Sequence, residues 1–343
     1  MEVVQKVSLK NFRCHDEFEL DCNRPTTLII GENGSGKTSI LEAIYLALRG
    51  KSFKATDKEI VRHEADFYRA EIDLIDAQKV IIRFNGLKKE FEIDGKKSLR
   101  LPKKNRYPVV LFEPDNIYLI KSSPARRRDY FDELFKQIDD NYGVILSKYN
   151  KALKQRNDLL KVEEVSADDF FSWNVMCANY GSEIARKRQK YLELINEDMT
   201  QIYQNIADNK DECSIEYLGE VCDENKYLRI LENNFQKDIY LGHTTFGVHR
   251  DDYEFIFNNK KADGSASRGE MRCIILALKF IESKILEEET GKKPVVLLDD
   301  IFSELDEARQ KHLINNFKNY QMIITSTAVP DEMKIDKELK IRL

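Results

Sequence analysis

The chain has 343 residues, of which 42% are hydrophobic and 34% charged, and its formal net charge is -5. This composition is typical of a globular protein and excludes a disordered chain, while the acidic total excludes a uniformly basic coat. No run approaches the roughly 18 apolar residues needed to cross a bilayer, and residues 1–10 lack the pattern of a secretory signal. Six scattered cysteines without a CxxC pair favour reduced thiols in the cytoplasm.

The sequence pattern of the first 120 residues predicts several short strands and one helix. Runs rich in β-forming residues indicate strands at 3–9, 17–20, 27–30, 69–75, 79–84, 90–93 and 109–112. After the third of these runs, the spacing of apolar residues over 38–48 predicts an amphipathic helix.

From about residue 123 the pattern changes to long helices. Apolar residues recur at spacings of three, four or seven from 173 to 206, which predicts one helix that ends at the polar segment 209–212. Further strands are predicted at 213–218, 241–248, 253–257, 294–299 and 322–327, and further helices at 270–287 and 307–320. The order predicts an α/β unit, residues 1–120 and 239–343, interrupted by a helical insertion at 121–238.

A glycine-rich segment follows the strand predicted at 27–30. Its residues Gly31, Glu32, Asn33, Gly34, Ser35, Gly36, Lys37 and Thr38 match the pattern G-x-x-x-x-G-K-[ST]. In this motif backbone N–H groups surround the β- and γ-phosphates at the positive end of a helix dipole. Lys37 is expected to reach the terminal phosphates and Thr38 to complete a Mg²⁺ shell, with Ser39 beside them at the nucleotide. The segment predicts binding of ATP with magnesium.

The apolar run at 294–299 ends in two acidic residues, Asp299 and Asp300. Apolar strands often end in aspartate, so the pattern alone is a weak indication of a nucleotide site. It becomes significant because a phosphate loop precedes it in the chain. Asp299 is expected to reach the Mg²⁺, usually through water, and Asp300 to polarise the attacking water as the catalytic carboxylate. The next segment, 303–306, resembles the D-loop of ABC ATPases, which crosses to the partner subunit.

A third segment, made of Ser267, Arg268, Gly269 and Glu270, precedes the helix predicted at 270–287. Its placement resembles the ABC signature, whose core is Ser-x-Gly-Gln, with Glu270 in place of the usual glutamine. Ser267 and the first amides of the helix would form a second anion site. The resemblance implies that this site serves the nucleotide of a partner subunit, since the ABC family pairs two subunits around two ATPs. A simple helix N-cap is the alternative for Ser267.

Other segments resemble the RecF family, the SMC-like recombination mediator ATPases of bacteria. They are Leu-Lys-Asn-Phe-Arg at 9–13, Phe-Glu-Pro-Asp at 112–115, Ser-Pro-Ala-Arg-Arg-Arg-Asp-Tyr-Phe-Asp at 123–132 and Gly-Val-His-Arg-Asp-Asp at 247–252. The resemblance covers nearly the full chain. The sequence departs from the family pattern at Val248, which replaces a proline, at Ser122, where the family often has glycine, and after Thr327.

The resemblance implies an α/β fold, an ABC-type ATPase head (P-loop NTPase) with an inserted helical lobe. It implies slow, DNA-stimulated ATP hydrolysis, an ATP-dependent homodimer, and binding to duplex DNA and single-strand junctions without sequence specificity. It also implies RecO and RecR as partners that assist recombinase loading during DNA repair and recombination. One alternative is an SMC-like ATPase of phage defence or nuclease regulation. Another is a transporter-coupling ABC ATPase, although the arginine segment and the helical insertion argue against it.

Three basic clusters are candidates for contacts with DNA phosphates, and a solvated surface is the alternative for each. The clusters are Lys88, Lys89, Lys96, Lys97, Arg100, Lys103, Lys104 and Arg106; then Lys148, Lys151, Lys154 and Arg156; then Arg186, Lys187, Arg188 and Lys190. The arginines Arg126, Arg127 and Arg128 have three possible roles, which are to contact DNA, to bind nucleotide, or to join the two lobes through carboxylates. A structural or interlobe role is slightly favoured.

Overall fold

The computed structural model describes residues 2–328 and the backbone of residues 340–342. The strands are β1 (Val4–Phe12), β2 (His15–Asp21), β3 (Thr26–Ile30), β4 (Tyr68–Leu74), β5 (Lys79–Phe84), β6 (Lys89–Ile93), β7 (Lys96–Ser98), β8 (Val109–Phe112), β9 (Cys213–Leu218), β10 (Asp252–Phe257), β11 (Lys260–Lys261), β12 (Val295–Asp299), β13 (Met322–Ser326) and β14 (Lys340–Arg342). The segment after Thr327, where the sequence departs from the family pattern, lies largely outside the described residues.

The α-helices are α1 (Lys37–Arg49), α2 (Asp57–Ile60), α3 (Pro124–Ile138), α4 (Asp140–Leu159), α5 (Phe171–Ala207), α6 (Glu224–Asn233), α7 (Phe235–Leu241), α8 (Ala262–Ser265), α9 (Arg268–Thr290) and α10 (Glu307–Phe317). Strands and helices alternate as the predicted α/β class requires, and this class is confirmed. Within the described part of the chain, no helix combines the length and apolar character needed to span a bilayer.

The chain divides into two compact units, Met1–Asn116 with Glu282–Leu343, and Ile117–Ile281. The second unit extends beyond residue 238, the predicted end of the helical insertion. It does so because β10 pairs with β9 along its whole length and thereby stays with the helices of that unit. The predicted division into an ATPase head at 1–120 and 239–343 and a helical lobe at 121–238 stays a prediction.

The first unit holds two sheets, one ordered β14-β3-β13-β12-β8 and one ordered β2-β1-β4-β5-β6-β7. The first sheet is parallel, and every residue of β12 is buried, as expected for a strand covered on both faces. The second sheet is antiparallel, and β4 alternates buried with half-buried residues. Because β3, β12 and β13 run parallel, their carboxyl ends meet at one edge of the sheet. The phosphate loop and the acidic pair follow at that edge.

Gln321 links these two sheets at the opposite end of the strands. Its Oε1 accepts a hydrogen bond from the backbone N–H of Val4 at 2.8 Å, and its Nε2 donates to the carbonyls of Val4 at 2.7 Å and Cys22 at 2.8 Å. The side chain is buried, so these bonds satisfy an amide that would otherwise be costly to remove from water.

The second unit is mainly helical and includes the sheet β11-β10-β9. The predicted long helix is confirmed as α5, which has 37 residues. Aromatic rings from α3, α4, α5 and β10 form part of the core, and they are Phe131, Phe135, Tyr142, Tyr191 and Tyr253.

Side chains of α5 cover one edge of β9. Asn196 exchanges two hydrogen bonds with the backbone of Ile215, at 2.8 and 2.9 Å, and Thr200 bonds the carbonyl of Cys213 at 2.8 Å and its N–H at 3.2 Å. Four helical residues rise about 6 Å and two strand residues about 6.7 Å, so the spacings match. The helix therefore takes the place of a neighbouring strand at this edge.

The strand predicted at 241–248 is wrong. The segment contains the end of α7 and a series of turns, with positive φ at Gly242 and Gly247. Thr245 bonds the Asp238 carboxylate through its N–H at 2.9 Å and its hydroxyl at 2.6 Å. These side-chain bonds occupy groups that a strand would have used for its ladder, and they override the β-propensity of the sequence.

Candidate functional site

The phosphate loop lies between β3, which ends at Ile30, and α1, which begins at Lys37. The Lys37 side chain folds over the loop, and its Nζ donates to the carbonyls of Gly31 at 2.7 Å and Glu32 at 2.8 Å. These bonds place the ammonium group over the concave side of the loop, where Lys37 is 6% exposed. The arrangement provides a cation and free amides for an anion at the start of α1.

Two loop glycines adopt conformations that other residues rarely reach. The φ angle is +85° at Gly34 and +96° at Gly36. At Gly36 a Cβ would also clash with Cys14 Sγ and would lie 2.5 Å from His15 Nε2. Glycine is therefore required at Gly36 both by the backbone angle and by the close approach of the turn before β2.

Thr38 and the acidic end of β12 are in direct contact. The Thr38 hydroxyl lies 2.8 and 2.9 Å from the two carboxylate oxygens of Asp299, and the Thr325 hydroxyl lies 2.8 Å from Asp299 Oδ1. Asp299 is 8% exposed. Hydroxyl and carboxylate oxygens at this separation are the hard ligands that Mg²⁺ takes, alongside phosphate oxygens and water. The residues thus fit a magnesium ion, which Thr38 and Asp299 would hold.

Asp300 follows in a left-handed conformation with φ of +47°. Its N–H donates to the carbonyl of Thr325 at 3.1 Å and to the Thr325 hydroxyl at 3.0 Å. Burial raises the pKa of its carboxyl group above the ordinary value, although the charge of Lys37 acts in the opposite direction. Oδ1 of Asp300 is buried and has no hydrogen-bond partner among the described residues. A carboxylate with these properties is suited to accept a proton from water.

A cavity of about 630 Å³ opens in front of these residues. Its lining comprises Arg13, Cys14, Asn33, Gly34, Gly36, Lys37, Thr38, Ser39, Lys54, Glu59, Val61, His63, Pro114, Asp299 and Asp300. The predicted loop residues Gly31, Glu32 and Ser35 contribute through the backbone bonds that shape the loop.

Several lining residues, among them Arg13, Lys54 and His63, received no site role from sequence reasoning. The only sequence feature that could have indicated a site role for Arg13 is its place in the family segment 9–13. Arg13 forms a two-pronged ion pair with Glu42 of α1, at 2.8 and 2.9 Å, and Glu42 is 1% exposed. This pair attaches the turn between β1 and β2 to the helix that follows the phosphate loop.

The segment predicted as a signature begins α9. Ser267 and Glu270 form a reciprocal capping box, in which the Glu270 N–H donates to Ser267 Oγ at 3.3 Å and the Ser267 N–H donates to Glu270 Oε2 at 2.5 Å. Arg268 and Gly269 lie in the first turn, and Ser267 and Arg268 are exposed. Glu270, which replaces glutamine, thus has a local role at the helix start. The role of this segment toward a nucleotide stays a prediction.

The first basic cluster surrounds β6 and β7. Lys88, Lys96, Lys97, Arg100 and Lys104 are exposed. Acidic residues contact part of the cluster, since Lys89 pairs with Asp57 at 2.9 Å and Lys97 with Glu90 at 3.2 Å. The cluster therefore presents a basic surface that is only partly neutralised.

Each of the other two basic clusters contains one arginine that is buried in the core. Arg156 and Arg188 are 0% and 1% exposed. Arg156 pairs with Asp238 at 2.7 Å, and Arg188 pairs with Asp132 at 3.0 Å and Asp251 at 3.3 Å. The expectation that these two arginines face DNA is wrong, because each satisfies a buried carboxylate instead. Their neighbours Lys148, Lys151, Lys154, Arg186 and Lys190 lie at least partly at the surface, and Lys187 pairs with Asp139.

Arg127 and Arg128 make structural contacts within the second unit. Arg127 forms a two-pronged pair with Asp252, with Nε–Oδ1 2.8 Å and Nη2–Oδ2 2.7 Å. Arg128 Nη1 donates to the carbonyl of Asp251 at 2.7 Å. Arg126 is exposed in the first turn of α3. The contacts of Arg127 and Arg128 join α3 to the segment 247–252, both parts of the family pattern.

A protein-family model described as an AAA domain matches residues 6–207. Among similar proteins, the DNA replication and repair protein RecF of Clostridium acetobutylicum is 33% identical and covers 98% of this chain and 95% of its own. The protein of the same name from Natranaerobius thermophilus is 34% identical over 95% and 91% of the two chains. That of Caldanaerobacter subterraneus is 35% identical over 96% and 95%.

Solved structures agree with these relatives. A structure of the recombination mediator protein RecF-ATPrS in the RecFOR pathway has a TM-score of 0.88 and 31% identity, and covers 100% of this chain and 96% of its own. The corresponding RecF-ATP structure has a TM-score of 0.85 and 32% identity over 96% and 93%. An SMC head bound to the C-winged helix domain of ScpA shares the fold alone, at 18% identity and a TM-score of 0.55. With its phosphate loop facing Asp299 and with these relatives along its whole length, the chain belongs to the RecF family of P-loop ATPases.

Proposed function

We propose that this RecF-family chain is an ATP-hydrolysing, DNA-binding protein of DNA repair and recombination. The observation that carries the proposal is the meeting of Lys37, Thr38, Asp299 and Asp300 at one edge of the parallel sheet, around a cavity large enough for a nucleotide. The relatives named DNA replication and repair protein RecF support the biological context.

In this proposal the chain's own side chains divide the work of hydrolysis. The loop amides and Lys37 bind the β- and γ-phosphates, and Thr38 with Asp299 holds Mg²⁺. The ion, when bound, neutralises charge that develops on the phosphate oxygens. Asp300 orients the attacking water and accepts its proton, a role favoured by its raised pKa and by the unpartnered Oδ1.

We further assign the segment Ser267, Arg268, Gly269 and Glu270 to the nucleotide of a second copy of the chain. The amides that open α9 would then meet the γ-phosphate across the interface, so that two ATPs lie between two subunits. This arrangement makes the dimer ATP-dependent, because the phosphate charge joins the two faces.

DNA contact is proposed for the exposed cations of the first cluster and for the lysines of α4. Contacts of this kind are made to phosphates and carry no base specificity. RecO and RecR are proposed as partners in loading a recombinase at single-strand gaps, a proposal supported by the RecFOR pathway named for the similar RecF structures. DNA stimulation of hydrolysis is part of the same proposal.

Light scattering tests the proposal directly. The mass of the unmodified chain is expected to double with ATP and Mg²⁺, with or without duplex DNA, and to stay that of a monomer without nucleotide. Lys37→Ala is the matched control and should stay monomeric. A mass that does not respond to ATP, in a chain that binds ATP, would contradict the shared nucleotide site.

A further inference from the structure

The turn between β1 and β2 lies directly against the phosphate loop. Phe12 pairs with His15 across the two strands, which leaves Arg13 and Cys14 as a two-residue turn. Arg13 has a φ of +56° and is held to α1 by its ion pair with Glu42. The Ser52 hydroxyl also bonds Glu42, at 2.5 Å. The turn is therefore a fixed platform beside the loop.

His15 makes the contact from this platform to the loop backbone. Its Nε2 lies 3.1 Å from the carbonyl oxygen of Gly36. A carbonyl oxygen only accepts hydrogen bonds, so Nε2 must carry the proton. The ring packs against Phe18 with a centroid distance of 4.8 Å, and His15 is 9% exposed. Packing against Phe18 and the pairing of His15 with Phe12 therefore fix the position of the Nε2 donor.

The Gly36 carbonyl belongs to the same peptide as the N–H of Lys37. In a planar trans peptide these two groups point in opposite directions, so a bond to the carbonyl determines where the N–H points. The Lys37 N–H is one of the first amides of α1, which have no intrahelical partner and face an anion. The N–H groups of Ser39 and Ile40 also donate to the Gly36 carbonyl, at 3.0 and 3.4 Å, but from inside the helix.

Glycine makes this peptide easy to rotate unless another group restrains it. Gly36 has no Cβ and a φ of +96°, a combination that leaves its backbone broad freedom. The absence of a Cβ is also what allows Cys14 and His15 to approach so closely. His15 therefore supplies, from outside the loop, a restraint on this peptide in addition to the bonds from the first turn of α1.

We infer that His15 is a positioning residue for nucleotide binding, because its bond to the Gly36 carbonyl holds the Lys37 amide toward the phosphates. The inference rests on the proposed binding of ATP at this loop. His15 itself does not contact the phosphates in this account, and it acts only through the peptide that it restrains.

Three variants of His15 separate the hydrogen bond from the packing. His15→Phe keeps a ring against Phe18 and removes the donor. His15→Gln places an amide nitrogen the same number of bonds from Cβ as Nε2 and restores the donor. His15→Asn is polar but shorter, and its nitrogen stands where Nδ1 stood, out of reach of Gly36.

The dissociation constant of ATP·Mg is measured by calorimetry for the unmodified chain and each variant, and thermal unfolding is followed without nucleotide. His15→Phe and His15→Asn are expected to weaken ATP binding about tenfold, equivalent to about 1.4 kcal/mol. His15→Gln should stay within about threefold of the unmodified chain, in line with a restored hydrogen bond. If His15→Phe does not fold, the comparison of His15→Asn with His15→Gln decides.

Unchanged affinity in His15→Phe or His15→Asn would overturn the role of His15. So would equal losses in all three variants, or an effect on the unfolding temperature alone, since these outcomes describe a structural histidine. Absence of ATP binding by the unmodified chain is a different result, which contradicts the proposed function itself.

Discussion

Thr38 and Asp299 lie 261 positions apart in the chain, and the hydroxyl of one is 2.8 Å from the carboxylate of the other. The contact joins the start of α1 to the end of β12. It brings together two oxygen-bearing side chains that are both suited to the same divalent ion. Thr38 is therefore central to a test of magnesium use.

Thr38→Val keeps the branched shape and removes the hydroxyl, whereas Thr38→Ser keeps the hydroxyl. The valine variant is expected to lose about tenfold or more in ATP affinity with Mg²⁺, in the range of a lost bond to a charged group. The serine variant should stay near the unmodified chain. Calorimetric titrations with Mg²⁺ and with EDTA measure both, and similar behaviour of the two variants would contradict the assignment.

Asp300→Asn tests the proposed general base. The amide cannot accept the proton from water, so ATP turnover is expected to fall by about 100-fold or more while ATP affinity is kept. In the unmodified chain, burial raises the pKa of this carboxyl group. Turnover should consequently begin to fall, as the pH is lowered, at a higher pH than an ordinary aspartate would give. A steady-state phosphate-release assay measures both effects, and near-normal turnover in Asp300→Asn would shift attention to Glu304.

Mixing two inactive variants tests whether Ser267 acts on the partner's nucleotide. Lys37→Ala should lose ATP binding because the phosphates lose their main counter-cation. Ser267→Arg should bind ATP as a monomer and fail to dimerise, because a bulky cation occupies the second anion site. In a mixed dimer, ATP on the Ser267→Arg subunit would meet an intact Ser267, so partial ATPase activity is expected.

A crosslink gives an independent reading of the mixture. Cysteines introduced at Ser35 and Gly269 should join two chains in the presence of ATP and not in its absence. An inactive mixture with the crosslink would mean that both sites must act together. An inactive mixture without the crosslink would reduce Ser267 to the helix cap seen in its bonds with Glu270.

Charge reversal tests the basic surface around β6 and β7. Replacing the exposed cations Lys88, Lys96, Arg100 and Lys104 with glutamate should weaken binding to duplex DNA and leave ATP binding unchanged. The logarithm of the affinity falls with the logarithm of salt concentration by roughly 0.9 per phosphate contact, so the slope should become shallower. Fluorescence anisotropy at several salt concentrations measures it.

A matched control carries the same change in net charge elsewhere. The exposed residues replaced are Lys210, Lys237, Lys311 and Lys318. Equal effects of the two sets would indicate a general charge effect, and unchanged affinity in the first set would leave the lysines of α4 as the candidates.

His249 gives a prediction about pH and stability. Burial lowers the pKa of its imidazole to about 4, and the ring accepts a bond from Tyr149 at 2.8 Å and donates to the Thr244 carbonyl at 3.1 Å. Between pH 6.5 and 4 the unfolded chain binds a proton that the folded chain does not, so stability decreases as the pH falls. The contribution amounts to roughly 2–3 kcal/mol across this range.

Urea unfolding at several pH values measures this contribution. His249→Gln keeps a donor for Thr244 and removes the titrating group, so the decrease in the free energy of unfolding below pH 6.5 should become smaller. His63→Gln, the same substitution at an exposed histidine, is the matched control and is measured in the same way. An identical pH profile in the His249 variant and the unmodified chain would contradict the account.

The sequence alone determined the parts of the site that are local in the chain. The glycines and Lys37 of the phosphate loop, the buried strand before Asp299 and the long helix α5 follow from short patterns, because turn geometry, burial on both faces and helical periodicity each act over a few residues. Even the capping box at Ser267 is readable from the three-residue spacing to Glu270.

Only the tertiary structure decided which charged side chains are buried and which side chain restrains the phosphate loop. Arg156 looks like a surface cation in the sequence, and its partner Asp238 stands 82 positions away. No sequence pattern singles out His15, which lies outside the predicted strands, and only the fold brings it to Gly36. The energy of a buried ion pair or of a restraining hydrogen bond depends on the partner that the fold supplies, and a single sequence does not show that partner.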